Sequence, residues 1–207
     1  MKRLKLAVTF IVLNNGLLFG AFTVGGTLRY GPVDTGRTTK EIVSPEIALW
    51  QTLDRPGVHA IGLSYLLFRW SDLSQKMTGR PRIPDYPYEV DLAGNAHWDV
   101  LFLDYKYAYP ISQRAVFYIS PRVGLGWAAG SGTETSYGGF TGISSVPYSF
   151  TTSGHLAAEA QAGAVWRMNE RWSSHLGVSA TTIRGETLPL MGRLRSLQAS
   201  GGIGFSF

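Results

Sequence analysis

The chain has no cysteine among its 207 residues, so disulfide staples and thiolate metal sites are excluded. Charge is also scarce: Asp, Glu, Lys and Arg make up 16% of the residues, against about 25% in ordinary soluble domains. No apolar run is long enough for a membrane-spanning helix, which needs about 20 residues. The best candidate, Leu6 to Leu13, is broken by Asn14, Asn15 and Gly16. Basic residues form no stripe either. The nearest approach is Lys76, Arg80 and Arg82, which reads as a solvated loop, and this excludes a nucleic-acid partner. No GxSxG, HExxH, P-loop or dinucleotide fingerprint is present.

What is abundant is apolar and small. Apolar residues make up 44%, aromatic residues 13%, and there are 25 glycines without a G-X-Y period, so the chain can bury a core and is neither disordered nor collagenous. Three of the 19 basic residues, Lys2, Arg3 and Lys5, are the only charges before Arg29, and the remaining 16 stand against 14 acidic residues. Those three and the Leu6–Leu13 run have the form of a secretory signal peptide. No A-x-A cleavage site follows, and Thr23-Val24-Gly25 would cut into the first strand candidate, so the cut falls between residues 15 and 25. The expected division is a signal peptide over 1–21 and one domain over 22–207.

Beyond the leader the apolar period is two, the strand period. In the last segment Leu197, Ala199, Gly201, Ile203, Phe205 and Phe207 share one face, and Ser196, Gln198, Ser200, Gly202, Gly204 and Ser206 the other. Eight such segments follow one another, including Leu101 to Tyr109 with Asp104 and Lys106 on the opposite face, and Phe117 to Trp127 with Arg122 opposite. Each is about ten to fifteen residues long, which suits a tilted strand crossing a bilayer.

The connections alternate between two kinds. Asp54 to Gly57, Pro110 to Gln113 and Met168 to Glu170 are tight turns, whereas Gly31 to Lys40, Ser71 to Ala96, Gly130 to Thr152 and Arg184 to Met191 are long. All tight turns therefore fall at one end of the bundle. On the apolar face, Tyr107, Tyr109, Phe117, Trp166, Trp172, Phe205 and Phe207 gather at the turn end, and Tyr30, Tyr65 and Trp127 toward the loop end. Two aromatic girdles around an apolar belt are expected of a membrane barrel. On a soluble barrel or sandwich they would be an aggregation hazard. The fold class predicted is an all-β, eight-stranded antiparallel up-and-down transmembrane β-barrel with an N-terminal signal peptide.

Three stretches carry a family resemblance: ISPRVGLGWAAG (119 to 130), AEAQAGAVWRMNERWSSHLGVSA (158 to 180) and the C-terminal GGIGFSF. On these, residues 20 to 207 resemble the eight-stranded outer-membrane barrel superfamily of the OmpA, OmpX and OmpW type. The resemblance implies a Gram-negative outer-membrane protein whose leader is removed. It also implies that Phe207, with Phe205, is the terminal signal for the barrel assembly machinery, and that the wall meets outer-membrane lipids and lipopolysaccharide.

Eight strands enclose a space only wide enough for side chains or one small ligand. The inward positions carry Arg29, Lys106, Arg122 and Arg167 against Glu46, Asp104 and Glu159. Buried charges must pair, so an interior ion-pair plug is expected, built from Arg122, Asp104, Glu159, Lys106, Arg29 and Glu46. Counting from the turns sets Asp104 opposite Ser120 and Gln161 opposite Arg122, which puts Arg122 diagonal to Asp104 and Glu159. Near the loop end Leu66, Phe68, Trp98, Val100 and Phe102 point inward; they make either a pocket for a small hydrophobic ligand, as supposed for OmpW-like proteins, or simple packing beneath a folded loop.

Catalysis has little to rest on. The four histidines show no metal-ligand spacing, and no cofactor is expected. His97, His155, Asp99 and Ser153 lie near the loop end, where a Ser-His-Asp arrangement can be imagined. Lipid A deacylase barrels carry His-x-Ser on the seventh strand, where this chain has SATTIRG (179 to 185) without histidine. The reading of function is therefore a plugged, non-enzymatic envelope protein meeting a surface partner through loops 71–96 and 130–152. The alternatives are a binder or narrow conduit for small hydrophobic molecules and, third, a lipid A-modifying enzyme.

Overall fold

The computed structural model describes residues 22–36, 38–53, 58–79, 88–137, 143–152, 154–184 and 193–207. The leader (1–21), the expected turn at 54–57 and most of the 184–191 connection lie outside these residues. Nine strands are present among them: β1 (Phe22–Asp34), β2 (Thr39–Thr52), β3 (His59–Gly79), β4 (Tyr88–Pro110), β5 (Ala115–Tyr137), β6 (Ile143–Thr151), β7 (His155–Arg167), β8 (Trp172–Ile183) and β9 (Leu194–Ser206). Eight of them form a closed antiparallel wall in the order β4-β3-β2-β1-β9-β8-β7-β5, and the β4–β5 pairing closes it. Closure pairs every edge, which is what a sheet surrounded by hydrocarbon requires.

The ends of the chain meet in this wall. Phe207 N–H donates to the Phe22 carbonyl at 3.0 Å and Phe22 N–H to the Phe207 carbonyl at 3.3 Å. Their rings stack at 6.2 Å, and Phe205 lies against Trp172 at 5.0 Å.

Period-two alternation sorts the residues as the sequence led us to expect. Leu101, Leu103, Tyr105 and Tyr107 are exposed on β4 while Val100, Phe102 and Asp104 are buried between them. Tyr109, Phe117, Trp166, Trp172 and Phe207 stand outward at the turn end, and Tyr30, Tyr65 and Trp127 outward toward the loop end. Wide inward side chains face glycines. Trp50 lies against Gly25 and Gly62, and a Cβ at Gly62 would collide with the Trp50 ring and the Leu49 carbonyl.

Three expected loops prove to be largely β-hairpin. The Gly31–Lys40 connection narrows to a turn at 35–38, where Thr35 N–H donates to the Thr38 carbonyl at 3.0 Å. β3 and β4 stay paired out to Gly79 and Tyr88, far into the expected Ser71–Ala96 loop. β5 runs to Tyr137, and its upper half pairs with β6, a ninth strand that forms within the expected Gly130–Thr152 loop. The upper β5 escapes the sequence reading because Ser, Thr and Gly occupy both its faces, and the upper β3 and β4 because their outward positions are polar or small, such as Ser71, Ala93 and Asn95. A strand standing clear of hydrocarbon has no need of a greasy side.

Candidate functional site

At mid-height five charged side chains reach inward from five different strands: Arg29 (β1), Glu46 (β2), Asp104 (β4), Arg122 (β5) and Glu159 (β7). All are buried. Arg29 donates through Nε to Glu46 Oε2 at 2.7 Å and through Nη2 to the same oxygen, and also through Nη1 to Glu159 Oε2 at 2.6 Å. Arg122 Nη1 donates to Glu46 Oε1 at 2.7 Å and to Glu159 Oε1 at 3.0 Å. Each glutamate thus bridges both arginines. Asp104 flanks the ring, its Oδ1 lying 3.4 Å from Arg122 Nε and accepting from Ser64 Oγ at 3.0 Å. Thr181 donates to Glu159 Oε2 at 2.6 Å, and Arg29 Nη1 donates to Ser179 Oγ at 3.1 Å.

The register differs from expectation by two residues on both sides of β5. Arg122 stands directly opposite Asp104 and directly opposite Glu159, while Ser120 faces Gln161. The β4–β5 turn takes up residues 111–114, with Ile111 and Ser112 N–H both donating to the Ala115 carbonyl; this displaces the pairing relative to a turn counted over 110–113. An even displacement keeps every side chain on its own face, so Arg122 still points inward.

Lys106 and Arg167 lie outside the layer. Lys106 makes no ion pair among the described residues, and its ammonium lies 3.7 Å from the centroid of the Trp50 ring and 4.9 Å from that of Tyr118. Arg167 is exposed at the turn end. Below the layer a polar cavity of about 460 Å³ opens among Thr27, Trp50, Lys106, Tyr118, Arg167 and His175. Thr27 Oγ1 and His175 Nε2 share a hydrogen bond of 2.9 Å across it.

Above the layer the interior turns apolar. Leu66, Phe68, Trp98, Val100 and Phe102 are fully buried and pack with Val33, Leu73, Ile183 and Leu194, while Tyr148 and Phe150 of β6 lean on the same cluster. None of the five expected pocket residues lines either of two cavities found among the described residues. The second cavity, about 550 Å³, lies at the loop end and is lined by Arg69, Asn95, His97, Ser131, Ser149 and Thr151 among others.

The histidines do not converge on a nucleophile. His97 faces outward, its Nε2 lying 3.6 Å from Asp99 Oδ2, and Tyr65 donates to Asp99 Oδ1 at 2.6 Å. His155 belongs to the interior, its ring edge-on to Trp98 at 5.5 Å. The two lie on opposite faces of the wall, and Ser153 falls outside the described residues. Ser179 and Thr181, in the stretch compared with the deacylase pair, are tied to Arg29 and Glu159. Alternation places Ser64 and Tyr118 on the inward face, where both are buried, but it gives Ser64 no partner in the charged layer and leaves out the buried Trp70. Trp70 simply continues the Leu66, Phe68 alternation.

No protein-family model and no curated protein sequence matches the chain. Among solved structures it is similar to the crystal structure of Neisserial surface protein A, with a TM-score of 0.62 and 12% identity over 90% of this chain and 97% of that one. It is also similar, with a TM-score of 0.48 and 12% identity over 91% of this chain and 99% of that one, to Ail, the attachment invasion locus protein of Yersinia pestis, in complex with the heparin analogue sucrose octasulfate. The N-terminal β-barrel domain of Pseudomonas aeruginosa OprF gives a TM-score of 0.41 and 15% identity over 91% and 99%. The chain has the fold of the eight-stranded outer-membrane barrels.

Proposed function

We propose that this eight-stranded barrel is a non-enzymatic, non-conducting protein of the Gram-negative outer membrane that works through its extracellular hairpins. One observation carries the reading. Arg29, Arg122, Glu46, Glu159 and Asp104 meet in a single layer with no exposed member, beneath a packed apolar cluster. An ion crossing that layer would have to break buried pairs, each uncompensated charge costing several kcal/mol. The space left inside is an open vestibule at the turn end, which suits a plug better than a conduit.

Orientation follows from connection length. Short turns belong to the periplasmic side and long connections to the outside. The leader over residues 1–21 delivers the chain to export, and Phe207 with Phe205 at the terminal seam is the signal read by the barrel assembly machinery. The β3–β4 and β5–β6 hairpins then project outward, with Ser131, Ser144, Ser145 and Ser149 exposed. Their Ser, Thr, Gly and aromatic content suits adaptable contacts with a surface partner.

The test uses cells displaying the full chain or a variant with residues 132–149 replaced by an Asn-Gly turn. Retention on a panel of immobilised extracellular-matrix proteins and glycans is expected to fall in the variant while the barrel still migrates as a folded band. Equal retention would overturn the surface role. Because the chain has no native thiol, Ser145→Cys is expected to react with an impermeant maleimide on intact cells and Asn169→Cys only after permeabilisation. The reverse would overturn the orientation.

A further inference from the structure

The vestibule at the turn end is a site in its own right. We propose that it binds a small soluble anion bearing a phosphate or carboxylate group, held at the floor by the Lys106 ammonium and drawn in by Arg167 and Arg171 at the mouth. Only the source of that anion, the periplasm, rests on the orientation argued above.

The floor is the first argument. Lys106 stands two residues from Asp104 on β4, about 7 Å of strand, so its inward side chain lies directly beneath the charged layer. An ammonium carries three donors and no acceptor. Here it meets two ring faces, 3.7 Å from the Trp50 centroid and 4.9 Å from that of Tyr118, and makes no hydrogen bond or ion pair among the described residues. The carboxylates above are engaged: Glu46 and Glu159 each accept from both arginines, and Asp104 Oδ1 accepts from Ser64. Asp104 Oδ2, buried and without a hydrogen bond among the described residues, is the rival acceptor on the same strand.

The sign of the walls is the second. Apart from Arg122, whose guanidinium belongs to the layer, the charged residues lining the vestibule are Lys106, Arg167 and Arg171 against Glu170 alone. Arg167, Arg171 and Glu170 are exposed and form no ion pair among the described residues. Arg167 stands eight residues beyond Glu159 on β7, about 27 Å of strand, which puts it at the mouth while Lys106 holds the floor. Charges of one sign along a concave, low-dielectric wall focus the field and raise the local concentration of the opposite charge.

Size and neutral donors are the third. The cavity of about 460 Å³ falls within the range that takes small organic ligands. Thr27, Tyr118 and Gln161 bring hydroxyl and amide groups to its wall, which can complete the shell of an anion whose charge is met by Lys106.

The test titrates the folded, detergent-solubilised full chain at low ionic strength with inorganic phosphate, with succinate and with neutral glucose, following backbone amide shifts by NMR. At least one of the two anions is expected to give saturable shifts at Lys106, Ala108 and Tyr118, and glucose none; whichever anion binds names the acid group the site takes. Lys106→Met is expected to weaken that binding about tenfold or more, since a hydrogen bond to a charged group carries roughly ten- to hundredfold in affinity. Lys106→Arg is expected to restore part of it, Arg167→Gln to weaken it less than Lys106→Met does, and Arg69→Ala at the loop end to leave it unchanged. Added KCl is expected to weaken wild-type binding by screening. No saturable shift, the outcome if Lys106 pairs with Asp104 instead, would overturn the proposal. So would shifts confined to residues 167–171, or a Lys106→Met protein, folded by its heat-modifiable migration, that binds like wild type. The readout does not depend on which end faces the periplasm, so this result and the maleimide labelling fail independently.

Discussion

Arg29 and Glu159, 130 residues apart in sequence, meet inside the barrel in a two-point pair, with Nη1 at 2.6 Å from Oε2 and Nη2 at 3.0 Å from Oε1. The same carboxylate also accepts from Arg122 and Thr181. Removing it leaves two buried guanidiniums short of a counter-charge. Glu159→Ala is predicted to cost about 3–5 kcal/mol, read from the urea midpoint at which the folded band is lost in heat-modifiability gels. Glu159→Gln, which keeps hydrogen-bond acceptance, is predicted to cost less. A loss near zero for the alanine variant would mean that the pair does not hold the interior together.

Lys106 and Arg122 share a face but not a role. With Trp50 and Tyr118 as its near neighbours, Lys106 owes its hold to ring faces, worth about 0.5–2 kcal/mol. Lys106→Met is therefore predicted to be the milder change, while Arg122→Met orphans carboxylates and costs about 3–5 kcal/mol. The same urea titration ranks the two, and the opposite order would contradict the assignment.

The apolar belt sets a depth-dependent penalty. Leu103 is half exposed on the outer face at the height of the Leu63 and Val123 pairs. Leu103→Arg is predicted to cost about 2–4 kcal/mol, as a charge placed near the bilayer midplane does. Asn95→Arg, above the girdle, is predicted to cost under about 1 kcal/mol by the same scale. Refolding yield into lipid vesicles against urea measures both.

Trp50 fills its part of the lumen because Gly62 has no side chain. A Cβ there would meet the Trp50 ring and the Leu49 carbonyl, whereas a Cβ at Gly26 would meet nothing within 4 Å. Gly62→Ala is predicted to destabilise by about 1–3 kcal/mol and to shift tryptophan emission. Gly26→Ala is predicted to do neither.

How far the sequence shows this molecule depends on where hydrocarbon lies. Where one face meets lipid, alternation assigns faces without error among the strands discussed: Arg29, Glu46, Asp104, Arg122 and Glu159 all turn inward, as their spacing requires. Register is harder, because it depends on where a turn falls, and the turn at 111–114 sets Arg122 opposite Asp104, where Ser120 was expected. That Glu46 serves both Arg29 and Arg122 was not legible, since it depends on closure bringing β2 and β5 across one lumen. Strand β6 was invisible because ISSVPYSFT offers Ser and Pro where a strand in lipid would show an apolar face. The aromatic cluster at the mouth reads as pocket or packing from sequence alone; in the fold Leu66, Phe68, Trp98, Val100 and Phe102 are buried and line neither of the two cavities found among the described residues.

The most direct test of the closed interior is electrical. Folded wild-type protein, with insertion verified by its heat-modifiable migration, is added to a planar lipid bilayer in 1 M KCl under about 100 mV, a potential that acts on a unit charge with about 2.3 kcal/mol. That is less than the several kcal/mol needed to leave a buried charge unpaired, so the account predicts a quiet trace. Reproducible ohmic steps from the wild-type chain would contradict it.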